Sequence, residues 1–577
     1  MNPEAATPTA SLLLAALLSI PAAMPALAQD RGDDTQRLDT VDVIGTRIKK
    51  SAAEGQAPVM SLSHDQLAAT GISSIGDILQ RLSVSGSSLN TKFNSAGNFG
   101  FPADSGGVGS GSTTLSLRNL GAKRVLVLVD GLRWINESSA SGVSGAVDLN
   151  TIPFSAVERI EILTDGASSL YGSDAIGGVV NIVTRKTQEG AELRMYGGDY
   201  TTGNGSTLAT SLTLGGTNGK TRYFMDLDYY TQNAINSSET EQSRFPVPRT
   251  GVAFGSSAIP TTRSVFIDTT NAHPILCPLD GTDYVCNIAG NGTAAGPSYT
   301  PAFDNTGFHQ WDGGPTGDRF NFGAYNLLLT PSERTGIFSQ VSHDLTPDIQ
   351  FYLKGLYQAR TSVNQAAPEP IFIGPGAGTG GLADTVSVDI TNPYNPFGQT
   401  LDASSNLIFA GRRPLEGGPR VFTQDVSTRY VAAGLQGGFD LGRQRYSWDL
   451  NFINGSNRAE QTVEGTYNIL HIKNALGPVA NCVAPCVPLN FFGGPGTITP
   501  AMLEYIGFSE LDRSQQSLNA FTANISGGLL PLPAGMLEVA LGGEHRNLGA
   551  SYSPDSVVTR RRNQRRTLAA DHRRLYG

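Results

Sequence analysis

From about residue 190 onward the chain alternates apolar and polar residues over long stretches, a period that an extended strand with two unlike faces satisfies. In Tyr223–Tyr230, the side chains of Tyr223, Met225, Leu227 and Tyr229 share one face, and Asp226 and Asp228 share the other. Ile349, Phe351, Leu353 and Tyr357 alternate with Gln350, Lys354 and Gln358; Tyr446, Trp448, Leu450 and Phe452 alternate with Ser447, Asp449 and Asn451. Nine such strands are predicted near 191–199, 206–216, 221–234, 333–344, 348–362, 425–439, 445–465, 515–528 and 535–550. Tight turns fall at Thr217–Lys220, Leu345–Asp348, Asp440–Gln444 and Leu529–Ala534, and long loops at 235–332, 363–424 and 466–514. Short and long connections alternate after the second strand. A soluble sandwich also alternates, but with shorter segments and more even connections. Apolar toward lipid, polar toward a lumen, with short turns at one end and long loops at the other, is the pattern of a transmembrane antiparallel β-barrel.

Composition agrees with many strands joined by turns: charged residues are only 16%, and Gly numbers 68 of 577. A net charge of −9 argues against a nucleic-acid partner, which demands a basic face. Ser11–Leu27 is the one long apolar run, and Ala26-Leu27-Ala28 ahead of Gln29 is a cleavage pattern, so residues 1–28 read as a signal peptide. The preceding MNPEAATPTA departs from that pattern in carrying Glu4 and no Lys or Arg. Nothing later has the ~18–20 continuous apolar residues of a spanning helix. Gln29, where a lipoprotein needs Cys, disfavours a lipid anchor. The four Cys form two local pairs, Cys277/Cys286 and Cys482/Cys486. In an exported protein these favour disulfides that clip loops. The rival is a metal site, for which His273, Asp280 and Asp283 stand near the first pair.

Between the N-terminus and the alternating region lie SLRNLGAKRVLVLVDGLRW (Ser116–Trp134) and DLNTIPFSAVERIEILTDGASSLYGSDAIGGVVNIVTRK (Asp148–Lys186). Taken in order, these motifs resemble the plug domain of TonB-dependent outer-membrane receptors. The positions that carry the resemblance are Arg118, Gly121, Arg124, Asp130, Gly131, Arg133, Arg159, Glu161, Gly166, Tyr171, Gly172, Asp174, Gly177, Gly178 and Asn181. By its own pattern this region reads as a small α+β unit over 51–186. Ser63 caps a helix His64–Ala69. Ser73 or Ser74 caps a second, whose Ile75, Ile78, Leu79 and Leu82 form one apolar face. Strands are predicted at Thr114–Arg118, Arg124–Val129, Val157–Thr164 and Gly178–Arg185. Gly107-x-Gly109-x-Gly111 superficially suggests a phosphate cradle, but it follows a loop and opens a strand, which a dinucleotide fingerprint does not. In the family such Gly/Ser-rich plug loops rise toward the ligand, which would make Phe99 and Phe101 ligand-facing. Glu158 and the motif charges would pair across the wet interface with a polar lumen, setting register more than affinity.

The resemblance implies further parts. Residues 29–50 read as a periplasmic tether, and Asp39, Thr40, Val41, Asp42, Val43 and Ile44 resemble the TonB box. An extended, β-branched hexapeptide on a loose leash can add a strand to the TonB C-terminal domain; the rival is an ordinary first strand of the plug. Too little chain separates signal peptide and box for a signalling domain. Residues 187–557 then hold the N-terminal part of the barrel with both Cys pairs outside the cell, about nine of the family's roughly 22 strands. Thr559–Gly577 contains seven Arg and no alternation. This aberrant tail, residues 558–577, suggests a frame shifted or cut near Val557, since unpaired sheet edges are not viable in lipid. No catalytic motif, cofactor or metal site is evident, and the seven His are scattered singly. The function implied is monomeric, TonB-powered uptake of a siderophore, haem, cobalamin or oligosaccharide class ligand through the outer membrane. A passive porin-like channel and a non-transporting remnant of such a receptor are the alternatives.

Overall fold

The computed structural model describes residues 59–72, 74–86, 111–139, 142–143, 145–253, 256–270, 277–290, 307–379, 381–442, 444–533 and 535–559. The signal peptide, the tether with Asp39–Ile44, Phe99, Phe101 and the arginine-rich tail beyond residue 559 lie outside these residues. Two bodies occupy the described chain up to residue 232 and its return through 332–366 and 420–553: a small mixed sheet with helices, and a long antiparallel wall.

The small body contains β1 (Val59–Ser63), α1 (His64–Ala69), α2 (Ile75–Gln80), β2 (Val125–Val129), β3 (Leu132–Arg133), β4 (Val157–Leu163) and β5 (Gly178–Thr184), with sheet order β1-β4-β5-β2-β3. Ser63 and Gln66 form a reciprocal capping box on α1, and Ser74 caps α2. Ile75, Ile78 and Leu79 of α2 are buried, as are all residues of β2 and β5. Two glycines are required by geometry. Asp130 and Gly131 sit at φ 51° and 78°, the paired positive values of the tight turn that joins β2 to β3. At Gly178 (φ 134°) a Cβ would stand 2.5 Å from the Leu163 carbonyl oxygen. One predicted strand is absent: Thr114–Arg118 makes only an isolated bridge, Ser85 to Leu117. Loop main chain and side chains take its backbone instead: the Gly86 amide donates to the Ser116 carbonyl (2.7 Å) and the Arg118 amide to that of Val84 (2.9 Å). Asp148 accepts from the Thr113 amide (2.8 Å), Gln80 donates to the Thr114 carbonyl (2.9 Å), and the Leu149 amide donates to the Thr113 carbonyl (2.8 Å).

The wall has nine strands paired in chain order: β6 (Gly190–Gly198), β7 (Thr207–Asn218), β8 (Thr221–Gln232), β9 (Ser332–Thr346), β10 (Ile349–Ala366), β11 (Arg420–Leu441), β12 (Gln444–Tyr467), β13 (Gly507–Leu532) and β14 (Gly535–Ser553). Among the described residues no ladder joins β6 to β14. All nine predicted strands are present, and β12 nearly matches its predicted range, but β11 begins five residues before its predicted start and β13 eight, to give 26 residues in β13. The reason lies on the outward face. Along β12 this face is apolar only over Tyr446–Phe452, about 24 Å at ~3.4 Å per residue. Beyond it come Asn454, Ser456, Arg458 and Glu460, bonded across strands in pairs such as Asn454–Asn519 (2.6 Å) and Arg513–Glu460 (2.9 Å). Both faces are polar there, so the strand continues while the hydrophobic period vanishes. Within the apolar band Leu353, Phe452, Phe521 and Leu541 stay 44–66% exposed. So broad an exposed apolar surface calls for a non-aqueous neighbour. No described helix is long and apolar enough to cross a membrane, which says nothing of strands.

The long connections are not structureless. Segments from all three build one cap: strands Thr262–Ile267, Leu279–Asp280, Asp283–Gly290, Phe308–Gln310, Ile371–Ile373 and Leu407–Arg412 form a sheet, backed by α3 (Ile469–Leu476) and α4 (Pro500–Ile506). Its core centres on Phe397, whose ring lies 4.8 Å from Phe266, 4.9 Å from Phe492 and 5.5 Å from Phe308. The Asn392–Gly398 segment is a turn scaffold for that ring: the Asn395 side chain accepts from the Phe397 amide (3.0 Å) and donates to the Gln399 carbonyl (2.9 Å). Cys277–Cys286 and Cys482–Cys486 are disulfide-bonded. Buried Arg412 and Arg420 are paired with Glu416 (3.1 Å) and Glu369 (2.9 Å). Phe397→Ala is expected to destabilise this cap by about 3–5 kcal/mol. The readout is faster hydrogen exchange in 262–267 and 407–412, with β2 and β5 unchanged.

Candidate functional site

The inward face of the wall meets the small body, and the contact is stacked in layers set by strand register. Lowest is Lys354 of β10, only 4% exposed, whose ammonium bonds the Asp130 carboxylate. Asp130 also accepts from the Thr184 amide (2.8 Å) and hydroxyl (2.6 Å). Burial pushes its carboxyl up, but Lys354 and the Thr184 bonds leave it below the usual carboxylate range. The next layer is apolar: Phe338, Leu356, Tyr430 and Leu518 of the wall join the core of the small body, with the Trp134 and Tyr430 rings 4.2 Å apart. Above it come neutral hydrogen bonds. Gln358 donates to the Asn150 carbonyl (2.7 Å), Asn457 accepts from the Ser138 amide (2.7 Å), and Gln516 donates to the Glu137 carbonyl (2.6 Å).

The top layer is a buried charge cluster. Arg360 bonds Glu137, stands 3.6 Å from Asp148, and donates to the Ser112 hydroxyl at 3.0 Å. Ser112 in turn donates to Glu137 at 2.5 Å. One guanidinium thus serves two carboxylates, all with side chains at most 3% exposed. Burial, and then the neighbouring Asp148 charge, push Glu137 up to about 8 against the pull of Arg360. Toward β6–β8 the contact is looser, with a cavity of about 60 Å³ among Ser74, Asn150, Ser155, Arg194, Asp228 and Arg334.

Most motif positions serve the small body itself. Asn181 accepts from the Gly131 amide (2.9 Å) and donates to Glu161 (3.0 Å), which pairs with Arg159 (3.0 Å). Arg118 donates to the Ile176 carbonyl (2.9 Å), Arg124 to that of Leu120 (2.8 Å), and the Gly177 amide to that of Arg124 (2.7 Å). The Gly121 amide donates to Ser116 (3.0 Å) and the Gly166 amide to Asp165 (2.8 Å). Gly172, at φ 84°, follows the short helix that Tyr171 ends. Besides Asp130, the motif positions Arg133 and Asp174 bond the wall's side chains. Arg133 pairs with Glu544 (3.2 Å) and Asp174 (2.8 Å), and Asp174 with Arg546 (3.4 Å). Sequence reasoning missed Glu137 and Ser138, which lie between the motifs, and Asp148, which opens the second motif without matching a position that carries the resemblance. A signal was on the wall, where Arg360 continues the polar phase of Lys354 and Gln358 along one alternating strand.

A mixed α+β body seated against the polar face of an antiparallel wall is the arrangement of a plug. Residues 51–179 match the TonB-dependent Receptor Plug Domain family. The chain carries a TonB-dependent receptor plug domain. This is a family of receptors rather than of enzymes. Among solved structures, a mutant of the ferric enterobactin receptor PfeA from Pseudomonas aeruginosa is 14% identical, with 86% of this chain and 59% of that one covered and a TM-score of 0.36. The ferric citrate transporter FecA in its unliganded form is 11% identical, with 87% and 61% covered and a TM-score of 0.36. The ferric preacinetobactin receptor BauA from Acinetobacter baumannii is 10% identical, with 88% and 61% covered and a TM-score of 0.36. The chain spans about three fifths of the length of these proteins.

The charge cluster makes plug seating pH-dependent with a definite sign. Glu137 holds its proton up to about 8 when seated and releases it near 4.5 when free, so the seated state binds more protons between those values. Seating should therefore weaken as pH rises from about 4.5 to 8. Glu137→Gln should flatten that dependence, measured as hydrogen exchange of 134–138 across the range; an unchanged slope in the variant contradicts the assignment.

Proposed function

We propose that this chain acts in the outer membrane as a ligand-gated, TonB-dependent importer. The wall's apolar band faces lipid, the cap lies outside the cell, and the plug closes the passage. The observation that carries this reading is the character of the plug contact. It is built from ion pairs and hydrogen bonds, with only one apolar layer. Polar contacts can be exchanged for water one at a time as the plug is moved, whereas a wholly apolar seal would expose its full area at once. Such an interface holds register at rest and yields to a pull.

The pull must come from elsewhere, because the outer membrane sustains no usable ion gradient. Residues Asp39–Ile44 are the proposed grip: an extended segment that adds a strand to the TonB C-terminal domain through main-chain hydrogen bonds. Ligand captured by cap and plug would make that segment available, and traction would then shift the plug. Phe99 and Phe101 are proposed ligand contacts on the plug. The chain would work as a monomer, with no covalent chemistry of its own.

Deletion of Asp39–Ile44 is expected to abolish uptake while leaving surface binding within about twofold of wild type, measured with labelled ligand on intact cells. Uptake that survives the deletion would instead support a passive channel.

A further inference from the structure

One inward step above the Arg360 layer, six strands bring a row of side chains into register: Gln232, Ser332, Ser362, Gln424, Gln461 and Asp512. Asn364 stands one step higher on β10 and Ser514 one step lower on β13. All eight are buried. Asp512 is engaged by the Asp555 amide (2.8 Å) and the Tyr552 hydroxyl (3.2 Å), and the other seven are uncharged. Gln424 donates to Gln461 at 2.8 Å, yet its carbonyl oxygen has no partner. Among the described residues, both amide atoms of Asn364 and the hydroxyls of Ser332 and Ser514 also lack partners. Asn364 is 0% exposed. Buried amides and hydroxyls are almost always satisfied, so a run of open ones marks a place where water at rest, or a ligand that displaces it, supplies the bonds.

The missing partner has a definable chemistry. It must both donate and accept, since Asn364 presents an open NH₂ and an open carbonyl, and Gln424 an open carbonyl. It gains nothing from negative charge. Arg360 below the row is held by Glu137 and Asp148, and Arg420 above it by Glu369. Hydroxyl groups meet both demands without charge.

We propose that this row recognises an uncharged, hydroxyl-rich ligand of the oligosaccharide class, reading it by amide and hydroxyl hydrogen bonds. This rests on the importer reading and narrows its ligand. The row also touches the plug contact directly. Arg360 donates to Ser362 at 3.1 Å, and a Cβ on Gly111 would stand 2.5 Å from both Arg360 and Ser362. Ligand bonded to the row therefore acts one residue from the charge cluster that seats the plug.

The test is calorimetric titration of the full chain, in detergent, with neutral gluco-, xylo- and chito-oligosaccharides, and with ferric citrate and a ferric tris-catecholate as anionic probes. Binding of at least one neutral oligosaccharide, insensitive to salt, is expected, with Asn364→Ala and Gln424→Ala each weakening it about tenfold. Asn364→Leu should abolish binding yet leave the melting temperature unchanged or raised, because that amide bonds nothing in the protein. A lowered melting temperature would indicate a structural amide and overturn the assignment. So would binding of the ferric anions alone, no binding by any oligosaccharide, or wild-type affinity in the variants. Failure here is separable from failure of the importer reading. Uptake lost on deleting Asp39–Ile44 while these titrations fail sinks the ligand class alone. Oligosaccharide binding with uptake indifferent to the deletion sinks the importer.

Discussion

The fold turns on one constraint: a strand that is apolar outward has to put its polar side chains inward, and inward there must be something to satisfy them. In this chain the plug does so along much of the wall. Lys354 finds Asp130, Gln358 and Asn457 find main-chain groups of the plug, and Arg360 finds Glu137 and Asp148. Removing the plug would strand several buried charges, each costly to leave unpaired. The same pairs give the plug its register, so wall and plug are each the condition for the other's polar chemistry.

Above the plug the constraint is only partly met. Asn364, Gln424, Ser332 and Ser514 keep open hydrogen-bonding atoms just where the plug contacts stop. The wall therefore changes character along its height, from an apolar-and-ionic seat to an uncharged hydrogen-bonding row. That gradient, rather than any single residue, separates the part that holds the plug from the part assigned to ligand.

The legible portion of this architecture was legible for physical reasons. Period-two alternation showed all nine wall strands, because one face meets apolar surroundings and the other does not. It lost the upper ends of β11 and β13, where polar residues such as Arg513 face outward. The Asp130-Gly131 turn was readable because its two positive φ values restrict residue choice. The cap was not readable: its core rings Phe266, Phe397 and Phe492 come from three distant loops, and no local period announces a contact of that separation. Thr114–Arg118 had strand-like residues, yet its backbone bonds are split between the Gln80 side chain and the loop main chain of Val84 and Gly86. The key partners in the plug contact, Glu137 and Asp148, sit in irregular chain, where nothing local distinguishes a carboxylate in water from one under a buried arginine.

The claim that this plug is seated on the polar face of this wall is most directly tested by a cysteine pair replacing Ser138 and Asn457, whose side chains and main chains exchange two 2.7 Å hydrogen bonds across the contact. Oxidation of intact cells should join the two positions almost completely and arrest uptake until the bond is reduced. Two free thiols after oxidation, in a protein shown to be inserted, would contradict the account at its root.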